Sequence, residues 1–140
     1  MHLNAIFDPA RGWWRSPGAD ARALEMLRRN APVELPEDLY AFLAASDGGE
    51  GELGIAPGWF ALWRVEDLLL RNADYDVPNE YPGYFGFGSN GGGELLAFQL
   101  TESRCGRVAM IAFIGGEPIV IADSFADFAA HIGIPCVPAE

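Results

Sequence analysis

A glycine-rich segment near the middle of the chain constrains the fold more than any other feature. Residues 84–94 read YFGFGSNGGGE, and the apolar run 95–100 follows at once. The spacing Gly86-x-Gly88-x-x-Gly91 matches a dinucleotide-binding fingerprint, which needs a helix directly after the glycines because the helix N-terminus holds the pyrophosphate. Here Gly92 and Gly93 extend the glycines into that first turn, at a cost of about 1 kcal/mol each relative to alanine. The segment therefore predicts a glycine-rich β-turn or bulge with positive φ, which Asn90 also tolerates, followed by a strand near the centre of the sheet.

The composition predicts a single domain with its own apolar core. Half of the 140 residues are apolar and 12% are aromatic, so we expect one domain over residues 1–140 with an N-terminal arm at 1–16. No run of about 18 apolar residues and no signal-peptide pattern is found, which predicts a cytoplasmic protein without a membrane span. The two cysteines, Cys105 and Cys136, are too few for a disulfide framework.

The net charge of −11 is concentrated in the middle of the chain. Residues 34–102 carry thirteen acidic residues against two arginines, whereas residues 1–33 carry five arginines against three acids. A field of this sign repels nucleic acid and anionic membranes and attracts a basic partner. An acidic surface also aids solubility without any partner, so both interpretations stay open.

Helical and alternating patterns predict an α+β domain. Apolar residues at helical spacing, with start and stop signals, predict helices over 17–30, 36–45, 65–72 and 124–132. Strands are predicted at 59–63, 94–100, 107–114 and 117–122, with a hairpin region at 50–58, an acidic loop at 73–83 and a tight hairpin turn at 115–116. Gly48 is expected to end the second helix in the left-handed region. Sequential hairpins favour a mostly antiparallel sheet with helices packed around it.

No residue pattern indicates catalysis or metal binding. His2 and His131 are the only histidines, and they do not combine with the cysteines at zinc-site spacing. There is no Gly-x-Ser-x-Gly elbow, and adjacent acids such as Glu37 and Asp38 are better explained as partners of a helix dipole. We therefore predict a protein that is not an enzyme and that has no cofactor, metal or catalytic residue.

Four motifs in this order resemble the SUKH superfamily, which comprises fungal cell-wall-synthesis regulators and many bacterial toxin-immunity proteins. They are LPEDLYAFL at 35–43, SDGG at 46–49, GSNGGGELLAF at 88–98 and DSFADF at 123–128. The resemblance covers residues 20–133 and implies an α+β fold. The residues that carry it as a structural hallmark are Leu35, Pro36, Gly48, Gly49, Gly88, Asn90, Gly91, Gly92, Gly93, Phe98, Ser124 and Phe125. Gln99 and Asp47 depart from the family pattern, which typically has Asp and Asn there.

The resemblance implies a binding role, because bacterial members commonly sit on a secreted toxin, often a nuclease, and block it. A nuclease holds phosphate with Lys and Arg, so an acidic protein can cover that site. We expect a basic protein partner at the acidic loops, with the tentative binding residues Glu50, Glu52, Asp74, Asp76 and Glu80. An adaptor or regulator with a non-toxin partner is an alternative, and a small-molecule-binding or enzymatic domain would show a polar cleft near Ser89 and Asn90. The oligomeric state and the burial of Trp13 and Trp14 stay open.

Overall fold

The chain forms one antiparallel sheet with helices on both of its faces. The computed structural model describes residues 6–101 and 104–136. Within them the strands are β1 (Trp13–Arg15), β2 (Gly49–Glu52), β3 (Trp59–Leu62), β4 (Tyr84–Ser89), β5 (Glu94–Thr101), β6 (Arg104–Ala112) and β7 (Ile119–Ala122). The helices are α1 (Ala21–Asn30), α2 (Glu37–Ala45), α3 (Leu68–Asp74), α4 (Val77–Glu80) and α5 (Phe125–Ala129). The strands lie in chain order from β1 to β7 and every neighbouring pair is antiparallel, which confirms the predicted α+β class.

One face of the sheet, the inner face, carries the main core beneath α1, α2 and α5. Phe87 of β4 stacks on Phe98 of β5 with ring centroids 4.5 Å apart, and Phe125 and Phe128 of α5 meet the Phe87 ring edge-on. Phe42 of α2 joins the cluster through Phe125, and all five rings are buried. Each such burial contributes roughly 1.5–3 kcal/mol, so this cluster fixes α2 and α5 on the sheet.

The opposite, outer face is covered over only part of its width. Over β4, β5 and β6, helices α3 and α4 bury a second apolar cluster that contains Val77, Leu95 and Ile111. Asn72 of α3 is also buried, and its side chain donates to the Gly86 carbonyl and accepts from the Gly86 N–H, both at 2.8 Å. We call this region the covered half, and the outer face of β1–β3 the open half.

The glycine-rich segment forms both of the features predicted for it. A bulge interrupts the β4–β5 register between Gly86 and Gly88, and the turn at 90–93 joins the two strands. The Asn90 Oδ1 atom accepts hydrogen bonds from the N–H groups of Gly92 and Glu94, both at 3.0 Å. Within the turn, the positive φ expected of several residues, Asn90 included, occurs at Gly91 alone. Residues 84–89 themselves form β4, and this strand, rather than β5, is the central one.

The SDGG motif connects α2 to β2 through contacts with distant parts of the chain. The Ser46 hydroxyl accepts from the Ser16 N–H at 3.0 Å and donates to the Gly48 carbonyl at 2.7 Å. The Asp47 Oδ1 atom accepts from the Val65 N–H at 2.7 Å. Gly48 has the predicted positive φ, 85°, but it lies beyond the helix, because α2 ends at Ala45 and its C-cap Ser46 is extended.

Several predicted boundaries were wrong because tertiary contacts compete with local signals. Helix α1 begins at Ala21, since residues 17–19 run extended along the end of α2, where the Ala19 N–H donates to the Leu43 carbonyl at 2.8 Å. The predicted loop at 73–83 contains the end of α3 and all of α4. Strand β6 ends at Ala112 and β7 begins at Ile119, so residues 113–118 form a longer loop than the predicted tight turn.

Candidate partner-binding surface

The large side chains of the open half of the outer face are Trp14, Glu50, Glu52 and Trp59, with Ala61 between them. Trp14 of β1 pairs across the ladder with Glu50 of β2, and Trp59 of β3 pairs with Glu52 of β2. Because side chains alternate along a strand, these four point to the same side of the sheet as Trp63, which packs in the covered half. The tertiary structure therefore places two indole rings beside two carboxylates.

The two tryptophans lean toward each other over β2. Their strands lie on opposite sides of β2, which separates their backbones by about 9.5 Å. The ring centroids are nevertheless only 5.9 Å apart, with an angle of 54° between the ring planes. A cavity of about 420 Å³ lies beside this pair, and its lining includes both tryptophans and Glu52. Trp14 is 66% exposed, so the pair is open to a partner.

The glycine-rich turn borders this surface. A Cβ atom placed on Gly91 would lie 3.4 Å from the Trp59 ring, so the turn packs against the edge of that indole. The glycine-rich turn at 90–93 therefore supports the Trp59 side of the open half through its backbone.

Glu50 and Glu52 have no basic partner within the described part of the chain. No arginine whose side chain the structure describes lies within 4.0 Å of either carboxylate. Arg11 lines the cavity, but its Nη1 atom donates to the carbonyls of Ala130 and Ile132, at 3.3 and 2.8 Å. The negative charge of the open half is therefore available to a group from outside.

The other predicted acids lie on the helices of the covered half. Asp74 ends α3, Asp76 precedes α4 and Glu80 ends α4, and all three are exposed. The Asp76 Oδ1 atom accepts from the Asn79 side chain at 2.8 Å, and none of the arginines with a described side chain forms an ion pair with any of the three acids. Since α3 and α4 cover the outer face, the structure brings all five predicted acids to one side of the sheet, in two groups.

Several arginines, in contrast, are already engaged within the molecule. Arg28 forms two hydrogen bonds with the Glu37 carboxylate, at 2.5 and 3.0 Å, and its guanidinium lies 4.1 Å from the Tyr40 ring centroid. The hydrogen bonds from Arg28 lower the pKa of the Glu37 carboxyl and raise the pKa of Arg28 itself. Arg64 pairs with Asp47 and Glu66. These pairs neutralise acids away from the two acidic groups, while Arg71 of α3 is an exposed cation within the covered half.

Sequence reasoning did not assign Trp14 and Trp59 to this surface. The burial of Trp13 and Trp14 was an open question, and the structure answers it: Trp13 is 8% exposed, and its Nε1 atom donates to the Ile6 carbonyl. The signal was the alternation itself, since a strand at 13–15 must send neighbouring tryptophans to opposite faces. Without knowledge that residues 13–15 form a strand, that signal could not be used.

The best-formed cavities lie away from Ser89 and Asn90, where a small-molecule-binding domain was expected to have a polar cleft. Four cavities of about 420–500 Å³ lie among the described residues, and neither Ser89 nor Asn90 lines any of the four. The side-chain Oδ1 atom of Asn90 instead accepts hydrogen bonds from the N–H groups of Gly92 and Glu94 within the turn. The described ranges also contain no group of three or more His, Cys, Asp or Glu side chains placed to hold a metal ion.

None of the helices in the described ranges has the length and apolar character needed to cross a membrane.

The strands lie in chain order in one antiparallel sheet, and helices pack on both of its faces. The SDGG turn leads into β2, and the glycine-rich turn connects β4 to β5. These features define a small α+β domain of the SUKH type. The chain matches the model of the SMI1 / KNR4 family (SUKH-1) over residues 18–131, and it belongs to this family. The match confirms the resemblance drawn from the four sequence motifs. No individual curated protein matches the chain significantly.

Proposed function

We propose that the chain is a non-catalytic protein-binding domain, and specifically a cytoplasmic immunity protein that neutralises a cognate toxin by covering it. The observation that carries this proposal is the gathering of five acidic side chains on one side of the sheet. Glu50, Glu52, Asp74, Asp76 and Glu80 share that side, and within the described residues none of them is paired with an arginine.

A basic toxin, such as a nuclease, is the partner whose chemistry fits this side best. A nuclease gathers Lys and Arg to hold phosphate, so its active site is attractive to a surface of unpaired carboxylates. Complementary charge of this kind raises association rates from roughly 10⁵–10⁶ to as much as 10⁸–10⁹ M⁻¹s⁻¹ at low salt. Family membership supports a protein partner, and the acidic side supports a basic one.

Co-expression with the product of a neighbouring gene tests the proposal directly. We expect an adjacent open reading frame to encode a toxin whose expression alone stops growth, and we expect this chain to restore growth. If the neighbouring product is not toxic, or if the chain fails to protect, the immunity function is wrong. Pull-down of a partner unrelated to any toxin would instead support the adaptor role.

Charge reversal on the acidic helices tests the surface. The variant Asp74→Lys/Asp76→Asn/Glu80→Lys removes three carboxylates, with Asn at 76 because it tolerates the φ of 52° found there. Association with the toxin should slow by about tenfold at low salt, and its salt dependence should flatten.

The matched control is Glu25→Lys/Glu34→Lys/Asp123→Asn, which changes the net charge equally at exposed positions on or beside the inner-face helices. Its association rate should change much less. Equal slowing in both variants would mean that net charge alone matters, and no slowing in either would exclude the helices as a contact surface.

A further inference from the structure

We propose that the open half binds an arginine side chain of the partner, with the guanidinium stacked on Trp14 and paired with the carboxylates of Glu50 and Glu52. This inference rests on the proposed function in one respect, namely that the partner is a basic protein. It goes further by naming the group that is recognised and the residues that recognise it.

The chain already contains one arginine whose guanidinium contacts both an aromatic ring and a carboxylate of the same molecule. Arg28 lies over the Tyr40 ring at 4.1 Å from its centroid while it forms two hydrogen bonds with Glu37. Arg15 likewise lies 5.2 Å from the Trp13 ring centroid. The open half presents the same aromatic and carboxylate groups, and the described part of the chain supplies no guanidinium to Glu50 or Glu52.

The geometry of the strands places ring and carboxylate at a suitable spacing. Trp14 and Glu50 are directly opposite each other on β1 and β2, which sets their Cβ atoms about 4.5–5.5 Å apart. A planar cation resting on the indole can therefore reach the neighbouring carboxylate. The cavity of about 420 Å³ beside the two tryptophans, which is lined by Glu52 and Arg11 but not by Glu50, leaves room for the side chain that carries this cation.

Arginine fits this surface better than the other candidate groups. Its guanidinium is flat, stacks on aromatic rings and donates two parallel hydrogen bonds to a carboxylate, whereas the lysine ammonium is a strongly hydrated point charge. An acidic group would be repelled by Glu50 and Glu52. A purely apolar group would cover Trp14 but would also remove water from the carboxylates without replacing their hydrogen bonds.

Two synthetic peptides, octa-arginine and octa-lysine, test the preference on the intact chain. Binding is measured by titration calorimetry at physiological ionic strength and by tryptophan fluorescence. We expect octa-arginine to bind about fivefold more tightly than octa-lysine, in line with a cation–π contact at an exposed site. The variant Trp14→Ala should abolish this preference, and Glu50→Gln/Glu52→Gln should weaken the binding of octa-arginine.

The control Glu25→Gln/Glu34→Gln removes the same charge on the inner-face side of the molecule and should keep the preference. Circular dichroism melting curves establish that each variant folds. Equal affinity for the two peptides, or a preference for arginine that survives Trp14→Ala, would overturn the proposal.

The same variants separate this inference from the proposed function. If Trp14→Ala and Glu50→Gln/Glu52→Gln leave toxin affinity unchanged while charge reversal on α3 and α4 slows association, the arginine site is wrong and the immunity function stands. If co-expression gives no protection but the peptide preference depends on Trp14, the arginine site stands and the immunity function is wrong.

Discussion

The covered and open halves of the outer face each contain a pair of aromatic rings with centroids 5.9 Å apart, and the two pairs differ in how they are packed. In the covered half, Trp63 stacks on Tyr75 with centroids 5.9 Å apart, and Tyr75 stacks on Phe113 at 4.9 Å. In the open half, Trp14 and Trp59 are also 5.9 Å apart, but their planes are tilted by 54° and no third ring contacts the pair within the described residues. The rings of the covered half lie beneath or beside α3, whereas Trp14 is 66% exposed.

This difference indicates which aromatic side chains serve the fold and which are available to a partner. The covered half gains stability because its rings contact one another beside α3 and because Asn72 satisfies the backbone of Gly86, with Tyr75 still 36% exposed. The open half keeps a large indole in water, where its burial can contribute to binding instead. Three tests, taken from the largest expected effect to the smallest, examine this difference.

The largest effect is expected from Asn72→Ala in the covered half. The Asn72 side chain makes three buried hydrogen bonds, one to Leu68 and two to Gly86, and its loss leaves the Gly86 N–H and carbonyl without these partners. We expect a loss of about 3 kcal/mol in the free energy of unfolding, measured with urea. The matched control is Asn79→Ala, because Asn79 is exposed and should cost under about 0.5 kcal/mol. Similar values for the two variants would show that α3 does not hold the β4 bulge.

A smaller contrast is expected between Tyr75→Ala and Trp14→Ala. Tyr75 lies between two rings, so its removal should cost about 1–2 kcal/mol, whereas removal of the exposed Trp14 should cost under about 0.5 kcal/mol. Thermal and urea unfolding measure both values. If Trp14→Ala destabilises the protein as much as Tyr75→Ala, the open half serves stability, and the comparison fails.

The smallest effect concerns Glu37 and Arg28, the internal counterpart of the proposed arginine site. Hydrogen bonds from Arg28 lower the folded-state pKa of Glu37, so this pair contributes stability above the unfolded pKa and loses it as the pH falls through the lower folded value. In the variant Arg28→Gln, the pKa of Glu37, followed by NMR, should rise toward its ordinary value of about 4.3. An unchanged pKa would mean that the pair does not form in solution, and it would weaken the analogy with the open half.

Local sequence signals predicted helix ends that depend on residues only a few positions apart in the chain. The start of α5 is an example, since the Ser124 hydroxyl accepts from the Asp127 N–H as the capping pattern predicts. Such signals need no knowledge of distant residues.

Elements that depend on distant partners were missed or misplaced. Strand β1 has three residues and forms because β2 offers glycine at position 51, where an added Cβ would lie 2.3 Å from the Cβ of Trp13. In β4, glycines conceal the strand pattern, yet the strand is held by its register with β5, including Phe85 opposite Phe98. Pairing of this kind joins residues far apart in sequence, so no local window contains it.

The acidic residues of the candidate surface could be predicted from charge, but their arrangement could not. Glu50 and Asp74 are 24 positions apart in the chain, and they share a side of the sheet only because α3 and α4 cross over its outer face. The tryptophans of the open half were not predicted at all, since their exposure depends on where those helices end.

By itself, the sequence determined the α+β class, the helix cap at Ser124, the positive φ at Gly48 and the negative charge of the middle of the chain. These properties follow from residue type and short-range spacing. Only the tertiary structure decided that Trp13 is buried and Trp14 exposed, and that Glu50 and Glu52 lie beside the open indoles. The physical reason is that a strand sends neighbouring side chains to opposite faces, and which face remains in water depends on the helices that cover the other parts of the sheet.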